Sequence, residues 1–127
     1  MIEKNDVKRV RAKAKTVYHR LKTDTCFICG KDKKLELHHI LPLSVVIGNW
    51  KQNNNNIGEL NAADVDRILK EEPIIFEPEN CITLCRVCHL QLHRLFGKDY
   101  NEKQVEKVKR YLTKTKLKFD TRRTKNG

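Results

Sequence analysis

An α+β fold on a small, metal-stapled core is what this sequence predicts, and three observations carry the expectation. Two C-x2-C pairs, Cys26 with Cys29 and Cys85 with Cys88, stand far apart in the chain, each beside a turn signal. Apolar residues alternate from Leu35 and recur at three and four near both ends, the periods of a strand and of helices. The hydrophobic share is 39% with only 6% aromatics in 127 residues, which favours a metal staple over a large apolar interior. The length predicts one domain over residues 1–127: a core at about 23–97, a basic helix at 1–22, and a helix with a basic tail at 98–127.

Taken in order, the stretch from Glu3 to Leu21 carries a helical stripe of Val7, Val10, Ala14, Val17 and Leu21, with Lys8, Arg9, Arg11, Lys13, Lys15 and Arg20 on the remaining surface. His19 matches no ligand spacing and reads as a surface residue. Gly30, directly after Cys29, suits the turn of a zinc knuckle. Leu35 to Ile40 reads as a short strand stopped by Pro42. A regular strand sends His38 and His39 to opposite faces, so a shared site would require a twist or bend at its end. Leu43 to Asn49 is apolar but short, and Gln52 to Asn56 reads as a polar loop, a tolerated insertion. Asn61 is the expected N-cap of a helix that ends before Pro73, with Leu60 stapled to Val65.

Ile74 to Phe76 and Cys81 to Leu84 read as two β-like pieces separated by the turn residues 77–80. Val87 to Phe96 reads as a helix ended by Gly97. The last helix begins at Asn101, with Tyr100 stapled to Val105 and an apolar face of Val105, Val108 and Leu112. Beyond Thr115 the segment Lys116 to Gly127 is basic and turn-rich, and partial disorder without a partner is expected there.

The net charge of +11 is unevenly placed. Residues 1–22 hold eight Lys or Arg against two acids and residues 98–127 eleven against four, whereas residues 47–80 hold three against seven. Basic segments that flank a candidate metal site fit a nucleic-acid partner, although charge alone leaves a merely solvated surface open. No apolar run approaches the roughly 20 residues of a membrane span. Paired cysteines with one left over, and no apolar leader, point to a reducing compartment and to zinc instead of disulfides, so a soluble cytoplasmic protein is expected.

Two C-x2-C pairs offer zinc a closed tetrahedron of Cys26, Cys29, Cys85 and Cys88, with no position open for chemistry. Cys81 is left as a small core residue. The other metal-binding side chains are His38, His39, His89 and His93, the last two on one face of a helix. The segment Leu35 to Pro42 with its His38-His39 doublet, followed by Asn80 nine residues before His89 and by His93 four later, resembles an HNH endonuclease with the zinc-supported ββα-metal fold. The resemblance covers roughly residues 26–96.

The resemblance implies a metal-dependent DNA endonuclease, acting on double-stranded DNA and leaving 5′-phosphate and 3′-hydroxyl ends. His38 and His89 would hold one catalytic divalent ion (Mg, Mn, Ni or Zn), with His93 matching a third ligand found in some members. His39 would be the general base, a role suited to an imidazole near its own pKa, and Asn80 would tie the interstrand loop and orient that base. Such a site supplies a nucleophile, neutralises the phosphate and stabilises the leaving oxygen, while leaving coordination positions for phosphate and water. Arg9, Arg11, Lys13 and Lys15 are candidate DNA contacts, and Arg86 and Arg94 are phosphate clamps or plain surface arginines.

The segment Val45 to Pro78 is longer than in compact members, and Glu36 is assigned no role. Two other readings are a zinc-stabilised binding module without catalysis, which would not need His39, and an RNase or toxin nuclease on the same scaffold. The sequence leaves open monomer or homodimer, nicking or double-strand cleavage, and a phage, mobile-element or restriction setting; if phage-encoded, the protein would act in the host cytoplasm.

Overall fold

The computed structural model describes residues 5–56, 58–98 and 100–126, with side chains through residue 121. Among the described residues, six α-helices accompany one two-stranded sheet, the α+β composition expected. The N-terminal stripe forms α1 (Asp6–Lys13) and α2 (Lys15–Leu21), which meet at Ala14. The Ala14 amide donates to Val10 and its carbonyl accepts from Tyr18, both at 3.0 Å, so the two segments share one hydrogen-bond ladder. Val10, Ala14 and Tyr18 are buried along it. The expected start at Glu3 lies outside the described residues.

The segment read as a short apolar run and a tolerated loop is instead a helix, α3 (Leu43–Asn53). Leu43, Val46, Ile47 and Trp50 are buried at helical spacing, a period completed only by Trp50, beyond the apolar window. The asparagines after it act as connectors: Asn54 accepts from Arg67 at 2.9 Å and Asn56 donates to Asp64 at 3.2 Å. In α4 (Ala62–Glu71) the N-terminus is as predicted. Asn61 accepts from the Asp64 amide at 2.8 Å while the Asp64 carboxylate accepts from the Asn61 amide at 3.1 Å, a capping box in which the cap alone contributes about 1 kcal/mol.

Ile74 to Phe76, expected as β-like, forms a 3-10 turn over Pro73–Phe76. Proline at its start fixes a helical φ, and Ile75 is fully buried from that turn.

Strand β1 (Leu35–His39) pairs antiparallel with β2 (Cys81–Cys85), with Leu35 opposite Cys85 and His39 opposite Cys81. Helix α5 (Arg86–Phe96) follows β2 without a loop and ends at Gly97, whose φ of 85° a side chain would disfavour. A 3-10 turn over Glu102–Gln104 then leads into α6 (Val105–Asn126). The disorder expected beyond Thr115 is therefore corrected as far as Asn126, with Gly127 outside the described residues. The helix continues because it still has a surface to pack on: Phe119 lies against the core, and the Lys116 ammonium donates to the Phe27 carbonyl at 3.3 Å and stands 5.1 Å from the Phe27 ring. No described helix is long and apolar enough to cross a membrane.

Two apolar clusters result. One gathers α1 to α4 around Val10, Tyr18, Ile47, Trp50, Leu60, Ile68 and Ile75, and the other gathers the ribbon, α5 and α6 around Ile28, Leu84, Leu92, Val108 and Leu112. Within the first, Asp6 is buried and accepts from the buried Lys51 ammonium at 2.8 Å and from the Leu60 amide at 3.0 Å.

Candidate metal centres and active site

The cysteine pairs occupy complementary turns. The Cys26 amide donates to the Lys31 carbonyl at 2.8 Å and its carbonyl accepts from the Gly30 amide at 3.0 Å, a turn that Gly30 closes at φ 77°. The Phe27 amide donates to the Thr83 carbonyl at 2.8 Å, fixing the first turn to β2. On the other side Cys85 ends β2 and caps α5, its sulfur accepting from the Cys88 amide at 3.5 Å.

The four sulfurs lie within 4.8 Å of one another, and Cys29 and Cys85 are 3.6 Å apart. Tetrahedral zinc with Zn–S of about 2.3 Å would set its sulfurs about 3.8 Å apart, so the spacing fits. Burial raises the Cys29 and Cys88 thiols. At Cys26 burial opposes ionisation, but hydrogen bonds from the amides of Cys29, Cys85 and Ile28 outweigh it and bring the thiol down to about 7. Four thiols this close cannot all ionise unless a cation lies among them. This cluster could hold a structural metal ion. Cys81, the fifth cysteine, is a core thiol as expected: it donates to the Ile75 carbonyl at 3.2 Å, and burial pushes it up to about 11.

A second cluster is formed by His38, His89 and His93, whose ligand atoms also lie within 4.8 Å. For neutral imidazoles, the hydrogen-bond partners select the tautomers. The Tyr100 hydroxyl donates to the Ile40 carbonyl, so towards His38 Nε2, 2.9 Å away, it acts as acceptor. His89 Nδ1 donates to the Glu36 carboxylate at 2.9 Å. The two remaining nitrogens, His38 Nδ1 and His89 Nε2, both present lone pairs and face each other at 3.1 Å. Such an arrangement repels unless a cation lies between. Two imidazoles on one metal at about 2.0–2.1 Å, subtending about 90–110°, have nitrogens about 2.8–3.4 Å apart, which this pair matches. The His93 ring centroid lies 4.3 Å from that of His89 and 6.0 Å from that of His38. Burial, then the neighbouring His89 and His93, push His38 down to about 3.

His39 faces the helical cluster, edge-on to the Tyr18 ring with centroids 5.0 Å apart. Its Nε2 donates to the Ile75 carbonyl at 3.2 Å, which leaves Nδ1 unprotonated and buried without a hydrogen-bond partner among the described residues. Burial, then Arg11, push this imidazole down to about 4, well below the value expected of an unperturbed histidine.

Asn80 joins the two ends of the interstrand segment. Its side-chain oxygen accepts from the Leu41 amide at 2.7 Å, its amide group donates to the carbonyls of Ile74 at 3.3 Å and Leu41 at 3.4 Å, and its own carbonyl accepts from Ile40 at 2.8 Å. By holding Ile74, Asn80 fixes the turn whose next carbonyl holds His39.

As period two requires, His38 and His39 diverge, yet no sharp bend is needed to bring them to one site. Both border a cleft of about 400 Å³, together with His89, His93, Lys8, Arg11 and Lys98. Of the candidate DNA contacts, only Arg11 is in this cleft. Lys15 lines an adjoining groove. Arg9 bonds the Leu60 carbonyl and pairs with Glu59 at 3.4 Å, and Lys13 pairs with Asp66 at 3.9 Å, both on the α4 side. Arg86 and Arg94 are exposed and do not line the cleft.

Sequence reasoning missed Tyr100, Glu36, Lys8 and Lys98. Glu36, two residues before His38 on one strand face, and Lys8, three before Arg11 on one helix face, carried usable signals. No solved structure matches the chain. A family model described as the nicking endonuclease family matches residues 2–125, and the chain belongs to that family.

Proposed function

We propose that the protein is an HNH-type, metal-dependent DNA endonuclease that nicks one strand of a duplex and leaves 5′-phosphate and 3′-hydroxyl ends. The observation that carries the reading is the convergence of three imidazoles, His38, His89 and His93, with His38 Nδ1 and His89 Nε2 at 3.1 Å and their far nitrogens against Tyr100 and Glu36. With His93 they would hold one divalent ion, and Cys26, Cys29, Cys85 and Cys88 would hold a structural zinc. The catalytic ion, when bound, supplies charge neutralisation on the phosphate and stabilisation of the leaving oxygen.

His39 supplies the base. Its Nε2–H is committed to Ile75, so Nδ1, buried and unpartnered in the free protein, would be the nitrogen that takes the proton of an attacking water once substrate is bound, and its low pKa keeps that lone pair free at neutral pH. Arg11, Lys8 and Lys98 line the cleft where the phosphate would enter. Asn80 positions the base through the Ile74–Ile75 carbonyls instead of touching substrate.

Supercoiled plasmid with Mg²⁺ or Mn²⁺ tests the reading, with RNA and linear duplex as further substrates. His39→Ala should still retain DNA and take up metal, yet nick about 10²–10⁴-fold more slowly. His38→Ala and His89→Ala should lose metal affinity first and recover partly in excess metal. Because His39 accepts a proton only as pH falls through about 4, the rate advantage of wild type over His39→Ala should persist at neutral pH and vanish in acid. Wild-type nicking by folded His39→Ala would remove the base and favour a binding module.

A further inference from the structure

The basic residues of the N-terminal helices do not act as one undifferentiated charge. Lys8, Arg11, Lys15, His19 and Lys22 recur at three and four, so they stand on one face of α1 and α2. They line a single surface groove of about 370 Å³, floored by Ala12, Tyr18 and Leu37. Lys8, Arg11 and Leu37 belong to both this groove and the histidine cleft, which makes the two continuous. The face carrying Arg9 and Lys13 turns the other way and is answered by Glu59 and Asp66. Among the described residues, no acid forms an ion pair with Lys8, Arg11, Lys15 or Lys22.

We infer that this stripe is the track for the phosphate backbone of the DNA flanking the nick on one side only. The inference rests on the nuclease reading above and adds to it a direction and a length. From Lys8 to Lys22 the helices rise about 21 Å at about 1.5 Å per residue. That is about six nucleotide steps at about 3.4 Å per strand. Lys8, Arg11 and Lys15 stand about one helical turn apart and Lys22 two turns further on, along a groove with a partly apolar floor, so they meet phosphates in sequence and read no bases. Phosphate contacts of this kind bind every sequence alike and weaken with salt. Arg11, at the junction, sits where the track enters the cleft.

Binding of a duplex with a mapped nick position, measured across salt concentrations, tests the track. Each lost phosphate contact flattens the salt slope by about 0.9, so Lys15→Gln with Lys22→Gln should flatten it by about 1.8. The affinity deficit of that variant should accordingly shrink by about tenfold between 50 mM and 200 mM salt. Lys13→Gln removes a like charge from the other face and should leave the slope unchanged. Trimming the duplex on one side of the nick to fewer than about six nucleotides should raise KM, and the double variant should be indifferent to that trimming.

Equal slope changes from Lys13→Gln, or equal sensitivity to trimming on both sides, would overturn the track while leaving the nuclease reading intact, provided wild type still nicks through His39. A wild-type chain that neither nicks nor retains DNA would overturn both.

Discussion

Around Trp50 the chain is held by aliphatic packing, a capping box and one buried ion pair, whereas around Cys85 it is held by a thin apolar layer and four sulfurs that cannot ionise together without a cation. In the first region the buried charges answer one another: Asp6 satisfies both Lys51 and the Leu60 amide. The second aims its polar groups at positions a cation would fill. The active-site candidates lie along the seam, with His38 rooted in the metal side and His39 in the helical side. The two regions are therefore stabilised by different means, and each can be perturbed separately.

The largest expected effect is on the metal side. Structural zinc contributes apparent free energies on the order of 10–16 kcal/mol, as much as or more than the roughly 5–15 kcal/mol that holds a typical domain together. Chelation, or Cys26→Ser with Cys85→Ser, should therefore unfold the ribbon and α5. Elemental analysis should find one tightly held zinc per wild-type chain, not counting the catalytic ion. Hydrogen exchange should then lose protection at the Phe27 amide and along Cys81–Cys85, while the amides of Ile47 and Trp50 in α3 open less. Equal and simultaneous opening of both regions would break the comparison and make the chain one cooperative unit.

Next in size is the buried ion pair. Asp6→Ala strands the Lys51 ammonium and the Leu60 amide in a dry interior, which costs about 3–5 kcal/mol. Asp6→Leu with Lys51→Met should lie closer to wild type, since it removes both charges together. Urea denaturation measures both, and metal content should remain that of wild type. A single variant as stable as the double would mean that water reaches this pair.

The contrast also explains which parts could be read beforehand. Candidate metal ligands announce themselves by type and spacing, so Cys26, Cys29, Cys85, Cys88 and the histidine trio were found in sequence and are brought together in space. Helix starts with chemical signatures, such as Asn61 with Asp64, were equally legible. Helix α3 was not, because its buried face needs Trp50 and Lys51, and a lysine seldom signals a buried position; Lys51 is there only because Asp6, 45 residues away in sequence, answers it. Long-range pairing of this kind has no local period. The same reason hid Tyr100, which reads as a hydrophobic staple and whose hydroxyl finds its partners only once the chain has folded back on β1. The tail was misjudged because composition reports charge density, while Phe119 and Lys116 gain their order from a surface formed far upstream.

The smallest effect expected is also the most specific, since it concerns protons on single nitrogens. Tyr100→Phe keeps the buried ring but removes the oxygen that accepts from His38 Nε2 and donates to the Ile40 carbonyl. His38 is then free to place its proton on Nδ1, the nitrogen that faces His89, and a protonated nitrogen cannot bind a cation. Glu36→Gln acts on the other partner, because an amide can donate as well as accept and no longer selects the Nδ1–H form of His89. Losses of outer partners of metal-bound histidines typically cost about 10–100-fold in affinity. Each variant should weaken Mn²⁺ binding by that order in calorimetric titration, with zinc content unchanged, and saturating Mn²⁺ should restore most nicking activity. His39→Ala, on the opposite face of the strand, should show the reverse pattern of normal Mn²⁺ affinity and no rescue. A Tyr100→Phe protein that binds Mn²⁺ like wild type would mean that the hydroxyl serves only the Ile40 carbonyl, and the histidine tautomers would then need another cause.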